Sequence, residues 1–370
     1  RTDVAPIAPA SAPTVFYVRP VAQDDLPAVL ALSEHTGTGL TTLPANRERV
    51  SERIARSLAS FAGSASRADA CYVFVLVDAA ADRVVGIAAI EAAVGLKEPW
   101  YNYHLGTLVH ASRALDVYTA APTLFLANDH TGHTELCSLF LDEGYRHARN
   151  GPLLAKSRLL FIAEFADRFA AKVIAELRGK LDADNRSPFW EGLGRHFFAM
   201  EYSTADYLTG IGQKSFVAEL MPRHPVYVNL LPESARAVIG EVHDDTRPAR
   251  KLLEQEGFRY EGYVDIFDAG PTLECFRDNI HAIRQSVVAP VAIASAGTAS
   301  NTAASAAAQS PNGEVIWLVA NRRFEDFRVI LAEAPARFKR FPLATENAAH
   351  PGVGGGDSVP AVPLSPKDRR

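Results

Sequence analysis

The sequence predicts an α/β fold built on a mixed sheet of parallel and antiparallel strands. Short runs of β-branched and aromatic residues alternate with segments of helical periodicity along residues 15–287, an order typical of a sheet covered by helices. Apolar residues make up 48% of the 370 residues and charged residues 22%, the balance of a globular protein with a large core. A chain of this length is expected to form two core units.

The first part of the predicted fold consists of one strand, two helices and two further strands. Segment 23–35 has helical spacing, and its acidic start suits the positive end of the helix dipole. Segment 45–61, ANRERVSERIARSLASF, predicts a second amphipathic helix. The strands are the apolar runs around these helices, at 15–20, 71–78 and 84–94.

The middle of the chain carries the strongest helix signal. Residues 95–134 contain WYNYHLGTLVHAS and PTLFLANDHTG, for which we expect short strands and functional loops. ELCSLFL at 135–141 predicts a buried strand, and the apolar residues of 151–170 recur at three- and four-residue steps, as in a helix. A strand at 172–179 and a helix at 187–198 are expected to follow.

The second half of the chain loosely repeats this pattern. We expect a strand at 216–222, helices at 232–242 and 246–258, and a strand hairpin over 259–275. Gly257 suits the left-handed residue that commonly ends a helix. Segments in both halves run from a helix through a glycine into an aromatic strand start, so the second half is interpreted as a related or degenerate copy.

Net charge and residue spacing exclude several functional classes. Lys and Arg number 38 and Asp and Glu 43, so the net charge of −5 argues against general nucleic-acid binding. The three cysteines lack C-x-x-C spacing and no histidine pair has H-x-x-x-H spacing, so we expect neither a disulfide scaffold nor a metal site. No apolar segment reaches the ~20 residues that span a membrane, and no signal-peptide pattern is present. We therefore expect a cytoplasmic protein.

The segment between strand 135–141 and helix 151–170 predicts an anion site. This polar loop belongs to the stretch YRHARNGPLL at 145–154. Free backbone N–H groups in the first helical turn attract a phosphate, and the helix dipole adds to this attraction. Pro152 fits that turn because it has no N–H to leave unpaired. The patterns G-x-x-x-x-G-K-[ST] and G-x-G-x-x-G are both absent.

This loop resembles the pyrophosphate loop of the GNAT acyl-CoA N-acyltransferases, written R/Q-x-x-G-x-G/A. Arg146 matches the first position and Gly151 the last, whereas Arg149 stands in place of the middle glycine and Asn150 follows it. An extra guanidinium there could contact a pyrophosphate directly. The resemblance implies that Arg146, Arg149, Asn150 and Gly151 bind CoA; the alternative is an ordinary exposed turn.

A wider set of segments is similar to the arginine N-succinyltransferase family. They keep the family's order over about residues 15–285, and more weakly through 314–334: RPVAQDDLPAVLALSEHTGTGLTTLPANRERV, EPWYNYHLGTLVHAS, PTLFLANDHTG, ELCSLFL, SPFWEGLGRHFF, FVAELMPRHPVY, IGEVH and GYVDIFDAGPTLE. The resemblance implies a GNAT-like acyltransferase fold. It implies that succinyl moves from succinyl-CoA, a cosubstrate, to the α-amine of L-arginine in arginine catabolism, giving N2-succinyl-L-arginine and CoA, with no tightly bound cofactor.

The same resemblance assigns individual residues. The family's proton donor belongs to an I-G-x-V-H block, which gives this role to His243; the alternative is a surface loop histidine. The family's succinyl-CoA contact is a leucine of E-L-C-x-L-F-L, here Leu139; the alternative is an ordinary core residue, and both can hold. Asp129 and Glu135 are candidates to pair with the arginine guanidinium, or are solvated loop carboxylates.

Composition divides the chain into two units and several flanking segments. We expect a GNAT-like CoA-binding unit at 15–215 and a second α/β unit at 216–287 that contributes the catalytic histidine. The remaining segments have few large apolar residues or only isolated strand signals. They are a flexible leader at 1–14, an Ala/Ser-rich flexible insert at 288–313, C-terminal strands at 314–350 and a disordered tail at 351–370.

Two other functions fit the same residues. The change at Arg149 is compatible with a non-catalytic partner subunit of such an enzyme, although His243 and ELCSLFL are retained. An acyl-CoA N-acyltransferase for a related amine, such as ornithine, would share all the CoA features. Each interpretation allows a homo- or hetero-oligomer, and none involves nucleic acid or a membrane.

Overall fold

A computed structural model describes residues 15–37, 42–294 and 314–365. Within these ranges the strands are β1 (Phe16–Pro20), β2 (Cys71–Asp78), β3 (Arg83–Glu91), β4 (Asn102–Ser112), β5 (Val117–Ala127), β6 (Thr134–Leu141), β7 (Lys172–Glu176), β8 (Val226–Tyr227), β9 (Arg259–Val264), β10 (Pro271–Phe276), β11 (Val287–Ala294), β12 (Glu314–Ala320), β13 (Val329–Pro335), β14 (Phe341–Ala344) and β15 (Ser358–Pro363).

The α-helices of the same ranges vary widely in length. They are α1 (Leu26–Ser33), α2 (Arg47–Phe61), α3 (Asn150–Glu164), α4 (Arg195–Phe198), α5 (Tyr202–Gly210), α6 (Ser215–Leu220), α7 (Glu233–Arg236), α8 (Arg247–Gln255), α9 (His281–Gln285) and α10 (Thr345–Ala349).

All these strands belong to one sheet, in the order β14-β11-β15-β12-β13-β1-β2-β3-β6-β7-β10-β9-β4-β5-β8. The described pairs β6–β7 and β11–β14 are parallel, and the other described pairs are antiparallel. The predicted α/β fold with a mixed sheet is therefore confirmed. Strands β9 and β10, from the second half of the chain, lie between β7 and β4 of the first half. The regions predicted as units 15–215 and 216–287 thus share one sheet.

Helices cover both faces of the central strands. Leu154 and Phe161 of α3 pack in one core with Leu136 of β6, whereas Ile54 of α2 packs in another core with Cys137. Because successive strand residues point to opposite faces, α3 lies on one side of the sheet, and α1 and α2 lie on the other.

Three local predictions in the middle of the chain are wrong. Residues 216–222 contain the helix α6 instead of a strand, because a short apolar run has no periodicity that separates the two. The helix predicted at 232–242 is limited to α7, and Gly240, with φ +76°, lies beyond it. Segment 95–134 forms the long antiparallel hairpin β4–β5 rather than short strands.

The C-terminal segments also differ from their predictions. Residues 288–294 lie in strand β11, which pairs with β14 and β15, so the flexible insert is wrong over this part; 295–313 lie outside the described residues. Strand β15 is largely buried and pairs with β11 and β12, so the disordered tail is wrong over 358–363. Both strands gain their order from pairing with distant residues, which composition does not reveal. The predicted leader at 1–14 also lies outside the described residues.

A buried ion pair connects α3 to the C-terminal part of the chain. The Lys156 ammonium lies 2.7 Å from the Glu256 carboxylate, and the two side chains are 2% and 1% exposed. Lys156 also donates to the Leu364 carbonyl at 2.7 Å, and Glu256 accepts from the Ala282 N–H at 2.7 Å. These bonds satisfy both charges and hold α3, α8, α9 and the end of β15 together.

Replacing one member of this pair should cost much more stability than replacing an exposed pair. Lys156→Met leaves the Glu256 carboxylate buried without its cation, so we expect a loss of about 3–5 kcal/mol in the free energy of unfolding. Urea unfolding would measure it. Arg186→Met, which breaks the exposed pair with Asp184, should cost less than about 1 kcal/mol. The double variant Lys156→Met/Glu256→Gln should recover part of the loss; equal losses for Lys156→Met and Arg186→Met would contradict this account.

Candidate active site

Strands β6 and β7 start side by side and then separate. Thr134 is level with Val173 and Glu135 with Ile174, where their described pairing ends. Beyond this point β6 continues along β3, and β7 continues along β10. The gap therefore opens at the carboxyl ends of two parallel strands, the usual position for ligands in sheets of this kind.

A β-bulge lies on the β6 side of the gap. Cys137 is level with Ala89 and Phe140 with Ile87, so two residues of β6, Ser138 and Leu139, oppose one residue of β3. Ser138 has φ +52°, in the left-handed region, and a bulge of this kind turns backbone groups out of the regular ladder. Leu139 is half-buried and packs against the core under α3. Its position suits both of its predicted roles, and the CoA contact stays a prediction.

The loop before α3 contains two consecutive left-handed residues. Ala148 has φ +50° and Arg149 φ +67°, and Arg149 immediately precedes the first residue of α3. This conformation favours glycine, because a side chain is crowded there. Arg149 thus stands in a conformation that favours glycine, at the position where the GNAT pattern has its middle glycine. The substitution changes the side chain without abolishing the turn.

Three backbone N–H groups of this loop have no acceptor within the described residues. They belong to Ala148, Arg149 and Gly151. The Asn150 N–H, by contrast, already donates to a carbonyl in the loop at 3.0 Å, and the buried Asn150 side chain donates to the Tyr145 carbonyl at 3.1 Å. A side chain at Gly151 would meet no atom within 4 Å, so the space in front of the helix is open. The adjacent free amides of Ala148 and Arg149 resemble the successive N–H groups that bind anions in a backbone nest.

Two guanidinium groups flank these amides. Arg146 donates to the Leu141 carbonyl at 3.1 Å, which anchors its side chain on the end of β6. The Arg149 side chain is exposed and makes no hydrogen bond within the described residues. Of the predicted CoA-binding residues, Asn150 therefore shapes the loop through its buried amide, whereas Arg146, Arg149 and Gly151 leave donors near open space.

His243 lies beside the chain that leaves β7. Its backbone N–H donates to the Arg178 carbonyl at 2.9 Å, and the preceding Val242 forms an isolated β-bridge with Gly179. Because β6 and β7 run in the same direction, His243 lies at the carboxyl ends of these strands, as do Leu139 and the start of α3. The structure thus brings the second half's predicted catalytic residue to the end of the gap.

The surroundings of His243 affect its protonation. Its Nδ1 accepts from the Asp245 N–H at 3.2 Å, which leaves the proton of the neutral ring on Nε2. The Asp245 carboxylate lies 3.7 Å from Nδ1, and the His243 side chain is 22% exposed. Burial and the Arg178 cation lower the pKa of His243, and this outweighs the two neighbouring aspartates. The direction of this shift was not decidable from sequence.

Arg178 is a candidate residue that the sequence analysis missed. Its Nε is buried and has no acceptor among the described residues. A side chain at Gly37 would lie 3.9 Å from its guanidinium, so the loop between α1 and α2 approaches it. That loop forms one wall of a cleft of about 330 Å³ whose other wall is α5. Arg178 therefore lies near the cleft, although it is not one of the residues that line it. The run ELRGK at 176–180 does not predict this position, because the cleft is formed by segments far apart in the sequence.

The two candidate partners for a guanidinium have different environments. Asp129 lies in an exposed loop and accepts from the Tyr263 hydroxyl at 2.8 Å. Glu135 is only 3% exposed and lies in β6, so the alternative of a solvated loop carboxylate is wrong for it. Burial, with Glu91 nearby, raises the pKa of Glu135 to about 8. Glu176 on β7 was not predicted; burial and Glu135 raise its pKa to about 8 as well.

Another glutamate in this region is ion-paired. Glu274 of β10 accepts from His130 Nε2 at 3.0 Å and from the Lys172 ammonium at 2.9 Å. The second ring nitrogen of His130 donates to the Asn102 side-chain oxygen at 2.7 Å, so both ring nitrogens face acceptors. The hydrogen bond from His130 is the main cause that holds the pKa of Glu274 at about 2.

This ion pair predicts a specific loss of stability in acid. Because the folded-state pKa of Glu274 is below its unfolded value, its stabilisation is present above about pH 4.5 and is lost as pH falls towards 2, an effect of about 3 kcal/mol. Glu274→Gln should reduce the free energy of unfolding at pH 7 and flatten its dependence between pH 4.5 and 2. Urea unfolding at several pH values would measure this. Glu261→Gln, an exposed glutamate on β9, should keep the wild-type slope; a wild-type slope for Glu274→Gln would contradict the assignment.

Metal-ligand clusters and membrane-spanning helices are both absent from the described ranges. Within the described ranges, no group of three or more His, Cys, Asp or Glu side chains is arranged to hold a metal ion. The helices of those ranges are all too short or too polar to cross a bilayer.

Known proteins resemble this chain over almost its whole length. The profile of the family described as arginine N-succinyltransferase beta subunit matches residues 16–282. Arginine N-succinyltransferase of Yersinia pseudotuberculosis serotype O:3 is 51% identical over 357 residues, covering 96% of this chain and 100% of that protein. The corresponding Escherichia coli protein (strain 55989 / EAEC) is 48% identical over 356 residues, covering 96% and 99%.

A solved structure agrees with these sequence matches. Arginine/ornithine succinyltransferase subunit AI from Pseudomonas aeruginosa superposes with a TM-score of 0.84 at 34% identity, covering 95% of this chain and 99% of that one. The mixed sheet, its diverging parallel strands and these relatives define an acyltransferase. The chain belongs to the arginine N-succinyltransferase family.

Proposed function

We propose that this protein transfers the succinyl group of succinyl-CoA to the α-amine of L-arginine, giving N2-succinyl-L-arginine and CoA. The observation that carries the proposal is the gap between β6 and β7. The unpaired amides before α3 lie at one end of this gap and His243 lies beside the strand on its other side. The names of the relatives supply the acyl donor and the acceptor.

In this proposal the CoA pyrophosphate binds at the start of α3. The N–H groups of Ala148, Arg149 and Gly151 and the guanidinium groups of Arg146 and Arg149 are its donors, because charge-assisted bonds to phosphate oxygens are strong. The pantetheine arm then follows the edge of β6 that β7 leaves unpaired. At the bulge of Ser138 and Leu139, backbone amides are available to the thioester.

The reaction needs no covalent intermediate with the enzyme. The neutral α-amine attacks the thioester carbon, and an oxyanion forms that hydrogen-bond donors of the bulge can stabilise. The carbon–sulfur bond then breaks, the nitrogen loses a proton and the sulfur gains one. His243 is the donor to the sulfur through Nε2, and the pKa that burial and Arg178 lower makes its charged ring a stronger acid towards the thiolate.

Removing the imidazole should slow the chemistry without weakening CoA binding. For His243→Gln we expect a kcat about 10²–10⁴-fold lower than wild type, because the thiolate leaves without its proton donor. Thiol release from succinyl-CoA measures kcat, and calorimetric titration measures the Kd for CoA. His110→Gln, which alters an exposed histidine near Tyr227, is the matched control and should keep wild-type kcat. A normal kcat in His243→Gln would remove His243 from the mechanism.

Replacing Arg149 by glycine tests whether its side chain or its backbone matters. Arg149→Gly keeps the left-handed turn, so stability should stay within about 1 kcal/mol of wild type. The lost guanidinium should raise the Kd for CoA about 10-fold. Because pyrophosphate is present in both ligands, 3′-dephospho-CoA should show the same ratio. Arg113→Gln, an exposed arginine at the β4–β5 turn, is the control. An unchanged Kd for Arg149→Gly would leave the backbone amides as the anion site.

The acceptor and the catalytic independence of the chain need a direct test. The relative from Pseudomonas aeruginosa is named for both arginine and ornithine, which favours L-ornithine as a second candidate acceptor. Thiol release by the purified chain should be faster with L-arginine than with L-ornithine. Release with neither amine would favour a non-catalytic partner subunit. We also propose a cytoplasmic location and a role in arginine catabolism; the three buried, free cysteines suit a reducing compartment.

A further inference from the structure

Four glutamates point to the same face of the sheet near the gap. Glu91 is level with Glu135, Glu135 with Ile174, and Ile174 with Glu274 across β3, β6, β7 and β10. Glu176 is two residues beyond Ile174 and so points the same way. Cys71, which is level with Glu91, belongs to the core under α1 and α2, which identifies the face.

Two of these glutamates are neutralised by cations of the protein. Glu91 contacts the guanidinium groups of Arg53, at 3.3 Å, and Arg56, both from α2. Glu274 contacts Lys172 and His130, as described above. Burying these two carboxylates is therefore offset by ion pairs, as is usual in folded proteins.

The other two glutamates have no such partner. Among the described residues, Glu135 Oε2 is buried without any hydrogen-bond donor, and Glu176 accepts only the neutral side-chain amide of Asn102, at 3.0 Å. Neither forms an ion pair with a described residue. A carboxyl group that is removed from water without a cation costs stability, so a protein that keeps two of them side by side needs another reason for them.

The nearby cations do not supply the missing partner. Lys214 acts on both carboxyls through space, but its ammonium lies 3.8 Å from Glu98. Arg158 is buried on α3, and its Nε and Nη1 donate to three backbone carbonyls. Arg53 is held by Glu91 and by the Thr42 carbonyl, and its buried Nε has no acceptor among the described residues, Glu135 included. The two carboxyls therefore remain available to a cation from outside the chain.

The separation of the two carboxyls suits a planar cation. They stand on neighbouring strands, two residues apart in register, so their Cα atoms are at least roughly 8 Å apart, given ~4.8 Å between paired strands and ~3.3 Å per residue, and more where the strands separate. A guanidinium presents five N–H donors in a plane and can bind a carboxylate at each edge, whereas an ammonium is a compact point charge. Both residues stand where the gap opens, close to the proposed thioester site.

We propose that Glu135 and Glu176 bind the guanidinium of the acceptor L-arginine. This assignment rests on the proposed function and names the residues that distinguish arginine from other amino acids. Bound guanidinium supplies the cation that both carboxyls lack, in the way that Arg53 and Arg56 serve Glu91. The side chain of the acceptor then lies across the face of the sheet that carries α1 and α2, and its α-amine points towards the thioester.

L-citrulline provides the decisive comparison, because it replaces the guanidinium by a neutral group of the same shape. Glu135→Gln and Glu176→Gln should each lower kcat/KM for L-arginine about 10- to 100-fold, since a charge-assisted pair is lost. Their kcat/KM for L-citrulline should stay within about threefold of wild type, because citrulline is neutral and the substitution changes only a neutral hydrogen bond. Glu274→Gln, the same substitution on the same face but at an ion-paired position, should keep the wild-type preference for arginine.

Stability separates this role from a structural one. Because Glu135 has no partner in the free protein, Glu135→Gln should melt at or above the wild-type Tm, whereas a structural carboxylate would lower it. Equal losses with arginine and citrulline would overturn the proposal and assign the carboxyls to the amine or the thioester. Unchanged kinetics in both variants would also overturn it. If the wild-type chain itself releases no thiol from succinyl-CoA, the proposed function fails instead, and titration of L-arginine into the CoA-bound protein still tests the carboxyls.

Discussion

The separation of β6 from β7 is the constraint on which the rest of the structure depends. Parallel strands that part after Glu135 and Ile174 leave two strand edges open at their carboxyl ends. The same geometry brings the N-terminus of α3 and the loop of His243 to one edge of the sheet, because each follows or flanks one of these strands. Neither half of the chain builds this arrangement alone, since β9 and β10 complete the sheet beyond β7.

The polar face beside the gap divides its charges between folding and binding. Glu91 and Glu274 are paired with cations and stabilise the contact between the sheet, α2 and the loop of His130. Glu135 and Glu176 are left without cations, which costs stability in the free protein. Such a division is expected where a site must bind a charged ligand, because a carboxylate that is already paired with a cation of the protein gains little by binding a second cation.

The loop before α3 places an arginine in a backbone conformation that favours glycine. The left-handed conformation at Arg149 is the one that glycine adopts most easily, yet here it is occupied by arginine next to Ala148, also left-handed. Such strain persists only where the surroundings fix it, and buried Asn150 fixes this turn through the Tyr145 carbonyl. The loop thereby gains an exposed guanidinium beside its free amides.

Elements with a local signal could be predicted from the sequence. The apolar periodicity after Pro152 identified α3, ELCSLFL identified β6, and Gly257, with φ +104°, ends the helix region at α8. The polar loop with Arg146 and Gly151 also has a local pattern, and the anion site that it predicts stays a prediction. Contacts between distant residues depend on the folded chain, which brings Arg178 beside His243 and Glu176 next to Glu135. Strand register and packing set these contacts between residues far apart in the chain, so no local pattern carries them; the same reason hid strand β15 in a segment rich in glycine and proline.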